Sequence, residues 1–227
     1  MIGGLQKVTL LDFPGKVACT IFLTGCNLRC PYCHNPELAL PQDSKKCIFE
    51  NEFFEFLISR KGKLDGVCIT GGEPTIHPEL PNLIRRIKDT GFLIKLDSNG
   101  TVPEMLEYLL REKLPDYVAM DIKNAPSRYA ETCGADVIEP VKKSVALLKN
   151  SNVDYEFRTT VCHPFHSTKC MEEIGCWLRG AKRYYIQPFV DSGNLLGSGI
   201  SAMAKPELET LLSAVKPYIP TAELRGL

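Results

Sequence analysis

Short apolar, β-branched runs recur six times along the chain, at residues 17–23, 67–70, 92–96, 117–122, 155–161 and 183–188. Between and after them lie helical patterns: Phe53, Phe54, Leu57 and Ile58; Leu80, Leu83, Ile84 and Ile87; Met105, Leu106, Leu109 and Leu110; Val141, Val145 and Leu148; Met171, Ile174, Trp177 and Leu178; and Leu208, Leu211, Leu212 and Val215. Strand alternating with helix means parallel strands joined by right-handed crossovers, so all the strands end on one side of the molecule. Closing such a sheet into a ring takes about eight strands. Six leave it open, and the expected fold is α/β, a partial (βα)6 TIM-like barrel open on one side. A chain of 227 residues, 44% of them hydrophobic, falls within the size range of one domain, so 1–227 is read as a single unit. Residues 36–46 and 189–204 are the expected mobile loops, and 189–227 is a candidate lid or partner-contact segment.

The strand ends carry the chemistry. In order they read Thr24-Gly25-Cys26, Thr70-Gly71-Gly72-Glu73-Pro74, Asp97-Ser98-Asn99-Gly100, Asp121-Ile122-Lys123, Arg158-Thr159-Thr160 and Gln187. Such an edge is where barrel enzymes build their sites. Carboxylates at the ends of apolar strands, Asp97 and Asp121, are costly unless a cation or hydrogen-bond donors compensate, although each alone would serve as a helix cap. Gly71 and Gly72 would let backbone approach a ligand that a β-carbon would block, although Gly-Gly before proline is also ordinary turn chemistry.

Within the loop at 24–36, Cys26, Cys30 and Cys33 form a C-x3-C-x2-C run. Three thiolates on a four-iron cubane leave one iron without a protein ligand, free to bind and activate a small molecule. A zinc site wants a fourth ligand, and His34 is badly placed to share a metal with the adjacent Cys33. A ferredoxin-type cluster wants a fourth cysteine in register, which the local run lacks.

Lys plus Arg and Asp plus Glu balance at 27 each, which gives no field to attract nucleic acid or an anionic membrane. No stretch approaches the roughly 20 apolar residues of a membrane span, and the N-terminus lacks a signal-peptide core. Ten cysteines without an even-spaced framework suit a reducing, cytoplasmic setting. Cys19 and Cys68 read as small core hydrophobes, and Cys47 and Cys133 as isolated. Cys162, His163, His166, Cys170 and Cys176 leave open a second metal, though their spacing fits no finger or ribbon.

On the cysteine loop and the Gly71-Gly72-Glu73-Pro74 turn the chain resembles the radical S-adenosylmethionine enzymes. The stretch Leu5-Gln6-Lys7-Val8-Thr9-Leu10-Leu11-Asp12-Phe13-Pro14-Gly15-Lys16, the run from Cys30 to Leu38 and the ending Ala222-Glu223-Leu224-Arg225-Gly226 resemble the activating proteins of anaerobic ribonucleoside-triphosphate reductase. The resemblance implies a [4Fe-4S] cluster on Cys26, Cys30 and Cys33 that cleaves S-adenosylmethionine reductively. The 5′-deoxyadenosyl radical so formed would take a hydrogen from a glycine Cα of the partner reductase, with flavodoxin or ferredoxin as the external one-electron reductant.

By the same resemblance Gly71, Gly72 and Glu73 bind the cofactor's amino group through backbone oxygens, with Glu73 orienting the turn. Tyr32 packs near the adenine, and Ser98 lies in the cofactor site. Asp97 and Asp121 hold a monovalent cation beside the cofactor carboxylate, Lys123 also lies near the cofactor, and Arg158 contacts that carboxylate. Gln187 stands where a pyruvate formate-lyase activase has a histidine after its sixth strand. The alternatives are an activase of a pyruvate formate-lyase-like enzyme and a small-molecule radical S-adenosylmethionine enzyme such as a deazaguanine-forming synthase.

Overall fold

The structure, a computed structural model, describes residues 2–40, 47–191 and 193–226. Its strands are β1 (Ile2–Thr9), β2 (Ala18–Leu23), β3 (Gly66–Gly71), β4 (Leu93–Ser98), β5 (Tyr117–Asp121), β6 (Asp154–Val161), β7 (Tyr184–Pro188) and β8 (Glu223–Leu224). The helices are α1 (Pro36–Ala39), α2 (Glu50–Ser59), α3 (Leu80–Asp89), α4 (Pro103–Arg111), α5 (Tyr129–Cys133), α6 (Ile138–Asn150), α7 (Thr168–Trp177) and α8 (Lys205–Val215). All strands join one sheet in the order of the chain, with β1 antiparallel to β2 and every later pair parallel. Among the described residues no pairing joins β1 to β8, so the sheet curls without closing.

The six expected strands are β2 to β7, and the structure adds one at each end. β1 escapes the alternation rule because Gly3 and Gly4 interrupt it and its middle is exposed. β8 is two residues long, below the length at which a pattern exists. The barrel therefore stays open with eight strands among the described residues, the antiparallel first strand and the two-residue last strand forming no ladder with each other there.

Alternation along each strand sorts the side chains into two environments. Cys19, Ile21 and Leu23 of β2, Val67 and Ile69 of β3, and Ile94 and Leu96 of β4 pack outward with Phe53 and Leu57 of α2 and Leu80, Leu83, Ile84 and Ile87 of α3. Val118 and Met120 of β5, Tyr155 and Phe157 of β6, and Tyr184 and Ile186 of β7 do the same with α6, α7 and α8. The opposite faces line a lumen that is polar from Thr20 to Arg158. Cys19 is the core hydrophobe its position suggests, whereas Cys68 faces the lumen, with its Sγ 3.8 Å from Asp97 Oδ1.

The loop between β1 and β2 folds back into the barrel and plugs its lower end. Phe13 is buried there among Ala18, Tyr117 and Ala119, with its ring 6.3 Å from that of Tyr117. Gly66 makes room for it, since a β-carbon at that position would lie 2.8 Å from the Phe13 ring. Of the two loops expected to be mobile, 36–39 is helix α1, and 41–46 lies outside the described residues. The second lies across the cysteine loop: Gly197 N donates to Pro31 O at 2.9 Å, and Phe189 packs with Tyr32 and Cys162. Farther on, α8 packs on α7 and β8 extends the sheet, so 189–227 contains barrel wall as well as cover.

Phe13→Ala should lower stability by about 3 kcal/mol through the cavity it leaves at the barrel floor. Urea unfolding checks this, with an unchanged m-value expected.

Candidate active site

The cysteine loop is tied to the barrel from three sides. Gly25 N donates to Leu38 O at 2.6 Å, Arg29 N to Cys133 O at 3.0 Å, and the Tyr32 hydroxyl to Lys123 O at 3.1 Å. Beneath it lies the turn after β3. There Gly71 has φ 122°, and its β-carbon would lie 2.3 Å from Leu23 O; a β-carbon on Gly72 would lie 1.9 Å from Gly25 O. The two glycines are thus required by backbone docking on backbone, Gly72 N donating to Leu23 O and Glu73 N to Gly25 O, each at 2.8 Å. The turn reading of these glycines thus has a specific cause, and both also line the cavity.

Glu73 fixes the turn from inside. Its buried carboxylate accepts from Thr75 N (3.0 Å), Thr75 Oγ1 (2.5 Å), Ser98 Oγ (2.8 Å) and Asn99 N (2.6 Å), which joins β3 to the end of β4. Burial nonetheless raises its pKa, because those donors only partly offset the loss of water.

The lumen floor is a chain of charge. Arg158 of β6 stands opposite Asp121 of β5 in register. It donates to Asp121 Oδ1 from Nε at 2.9 Å and lies 2.8 Å from it at Nη2. Its Nη1 donates to Asp97 Oδ2 at 3.2 Å. Lys123 Nζ donates to Asp121 Oδ2 at 3.0 Å, and Lys95 Nζ donates to Asp97 Oδ1. Burial works to raise both aspartate pKa values. Arg158, with Lys95 at Asp97 and Lys123 at Asp121, outweighs it and holds both below the usual carboxylate range. The pair assigned by resemblance to a monovalent cation is therefore met by cations of the chain itself. Lys95, an inward residue of an apolar strand, is the group the sequence reading missed; its two-residue offset from Asp97 was the signal.

Cys26, Cys30, Cys33, Tyr32, Gly71, Gly72, Glu73, Asp97, Ser98, Asp121, Lys123, Arg158 and Gln187 all line one cavity of about 380 Å³. Asn99 and Thr160, from the strand ends read above, line it too, as do Gln6, Asp12, Thr20 and Asn35, which were not foreseen. A surface groove of about 1080 Å³ lies elsewhere, along α4 and α6, and holds none of these residues.

The donor set fits an iron–sulfur cluster. Burial raises the thiols of Cys26 and Cys33, so as thiolates they need a cationic partner, which iron supplies. A hydrogen bond with Cys133 brings Cys30 down to about 7, so Cys133 is not the isolated residue its sequence position suggests. No three His, Cys, Asp or Glu side chains among the described residues converge to hold a single metal ion. Cluster ligands grip separate irons and need no such convergence; a zinc site does. The candidates for a second metal are dispersed. His163 pairs with Glu207 at 3.0 Å, Cys176 is exposed on α7, and Cys170 lies 3.2 Å from Ser167 Oγ. His166 is a structural residue, its Nε2 donating to Lys123 O at 2.9 Å and its Nδ1 accepting from Cys162 N at 3.2 Å.

Residues 20–175 match the Radical SAM superfamily. The chain belongs to that superfamily. It is 32% identical over its full length to 96% of a Methanocaldococcus jannaschii protein named as a glycyl-radical enzyme activating enzyme. It is 32% identical to a pyruvate formate-lyase-activating enzyme of Clostridium pasteurianum, over 54% of this chain and 52% of that one. It is 38% identical to a 7-carboxy-7-deazaguanine synthase of Aquifex aeolicus, over 36% of each. Among solved structures, that of Streptococcus suis SuiB bound to its precursor peptide SuiA superposes with TM-score 0.72 at 17% identity, over 91% of this chain and 48% of that one. This radical SAM enzyme accordingly uses a [4Fe-4S] cluster and S-adenosylmethionine. No helix among the described residues is long and apolar enough to cross a membrane.

Gly72→Ala should cost about 2 kcal/mol, because the turn and the cysteine loop must move apart. A lowered melting temperature and reduced iron after anaerobic reconstitution check it. Burial lowers the pKa of His34, His77 and His166 from 6.5. The unfolded chain then binds more protons than the folded one as pH falls below 6.5, so stability declines on acidification from pH 7 to 5. Melts across that range should show the decline, with a shallower slope in His166→Gln.

Proposed function

We propose that this radical SAM enzyme is an activase that installs a glycyl radical on a partner protein, with anaerobic ribonucleoside-triphosphate reductase as that partner. The observation that carries the reading is the match, over 100% of this chain and 96% of the relative, to a protein named for glycyl-radical enzyme activation. The open side of the barrel supports it, because a polypeptide loop can enter where no strand pairing closes the wall.

In this reading Cys26, Cys30 and Cys33 hold the cluster, and the cavity beneath it receives S-adenosylmethionine. Gly71 and Gly72 present backbone oxygens to the amino group, while Glu73, steadied by Ser98, keeps that turn in place. Tyr32 holds the loop beside the adenine, and Gln187 faces the ribose side. Arg158 and Lys123 face the carboxylate, with Asp97 and Asp121 fixing their direction. The bound group supplies a one-electron cleavage whose organic radical removes the hydrogen; the protein positions it and keeps water out. An external reductant such as flavodoxin or ferredoxin supplies the electron, and the setting is cytoplasmic.

A pyruvate formate-lyase-like partner is the second reading, favoured by the match to the Clostridium pasteurianum activase over half of the chain. A small-molecule substrate is favoured by the shorter match to the deazaguanine synthase.

Anaerobic incubation with dithionite, S-adenosylmethionine and a purified reductase should give a glycyl doublet in electron paramagnetic resonance. A doublet only on a pyruvate formate-lyase-like protein moves the partner, and turnover of a small molecule without any protein partner rejects the activase. Alanine at Cys26, Cys30 or Cys33 should abolish both the cluster spectrum and 5′-deoxyadenosine release, and product formation by any of the three contradicts the ligand assignment.

A further inference from the structure

Lys95 is a charged group of the lumen placed beyond the reach of a ligand. It is 1% exposed and takes no part in the cavity wall. As an inward residue of β4 two positions before Asp97, it approaches that carboxylate from the barrel side, and Cys68 Sγ lies 3.7 Å from its Nζ. Desolvating an ammonium costs several kcal/mol, and an apolar side chain in the same space would avoid that cost. The lysine must therefore be read by what its charge does.

The floor holds two carboxylates, Asp97 and Asp121, and three cations, Lys95, Lys123 and Arg158, each in an ion pair. A third carboxylate, Asp12, also lines the cavity and accepts from Thr20 Oγ1 at 2.6 Å, so carboxylates and cations are equal in number. Arg158 directs two of its nitrogens at Asp121 and gives Asp97 a single bond at 3.2 Å. Without Lys95, Asp97 would be a buried carboxylate with only the single Arg158 bond opposing it. Such a carboxylate draws in a small cation from solvent.

We propose that Lys95 is the resident cation of this site: it neutralises Asp97 from below, so S-adenosylmethionine binds without an inorganic monovalent cation. Lys95 is a positioning residue acting through Asp97 and Arg158. The inference rests on the placement of S-adenosylmethionine over this floor given under Proposed function.

The test is equilibrium dialysis of S-adenosylmethionine against the anaerobically reconstituted protein in sodium, potassium or tetramethylammonium chloride at equal ionic strength. The unmodified protein should bind with the same Kd, within about twofold, in all three salts. Lys95→Met should bind about tenfold more weakly in tetramethylammonium and recover most of the loss in sodium or potassium. Lys95→Met/Asp97→Asn, which removes both charges, should again be indifferent to the cation. A merely structural lysine would give a loss that no small ion repairs. The proposal is overturned if unmodified protein gains more than about fivefold in affinity from sodium or potassium, or if Lys95→Met is indifferent to the cation. The salt series on unmodified protein needs no variant to fold. Asp121→Asn tests the underlying reading separately, since unchanged affinity in every salt would put the ligand elsewhere.

Discussion

One guanidinium organises the interior of this barrel. Arg158 bridges Asp121 on the neighbouring strand and Asp97 one strand farther, so the three inner faces from β4 to β6 are joined by charge-assisted hydrogen bonds. That cation and a lysine oppose the burial of each carboxylate and hold its pKa below the usual range. The outward faces of the same strands carry the apolar packing that holds the helices. Stability and chemistry are thus separated by the two-residue period of the strand, and the lumen can hold charge because the core lies outside it.

Above that floor, the cysteine loop and the glycine turn act as one unit. Gly25, Gly71 and Gly72 bring the two segments into backbone contact, and Glu73 fastens the turn to β4 through Ser98 and Asn99. Asn99 reaches the loop as well, with its Nδ2 3.2 Å from Asn27 Oδ1. The thiols are therefore positioned by the same hydrogen bonds that shape the cavity below them. Any change that moves the turn changes the distance between metal ligands and ligand pocket together.

What the sequence made legible was whatever has a period or a fixed spacing. The strands from β2 to β7 announce themselves by β-branched runs, and the cysteine loop by its spacing. The polar strand ends do converge on one cavity. What stayed hidden came from long-range contact. Lys95 looks like an ordinary lysine until Asp97 is seen on the same face. Cys133 stands far from the loop in sequence and meets Cys30 because Arg29 N bonds to its carbonyl. Phe13, in a loop with no regular structure, became a plug because the barrel floor needs filling. Tyr32 has a role beyond filling the loop, since its hydroxyl and His166 both donate to Lys123 O and so set the direction of Lys123.

Among the described residues the open wall lies between the sheet's two outer strands. β1 runs antiparallel, and β8 contributes only Glu223 and Leu224, so each end of the sheet is an edge. Arg225, next after β8, turns to Glu156 with bonds of 2.6 and 2.9 Å and lies over the Tyr185 ring at 3.4 Å. Glu156 is fully buried and also accepts from the Tyr117 hydroxyl at 2.7 Å, so this pair seals the lower lumen behind the charged floor. The barrel is thus sealed below, while among the described residues no strand pairing closes the wall between β1 and β8.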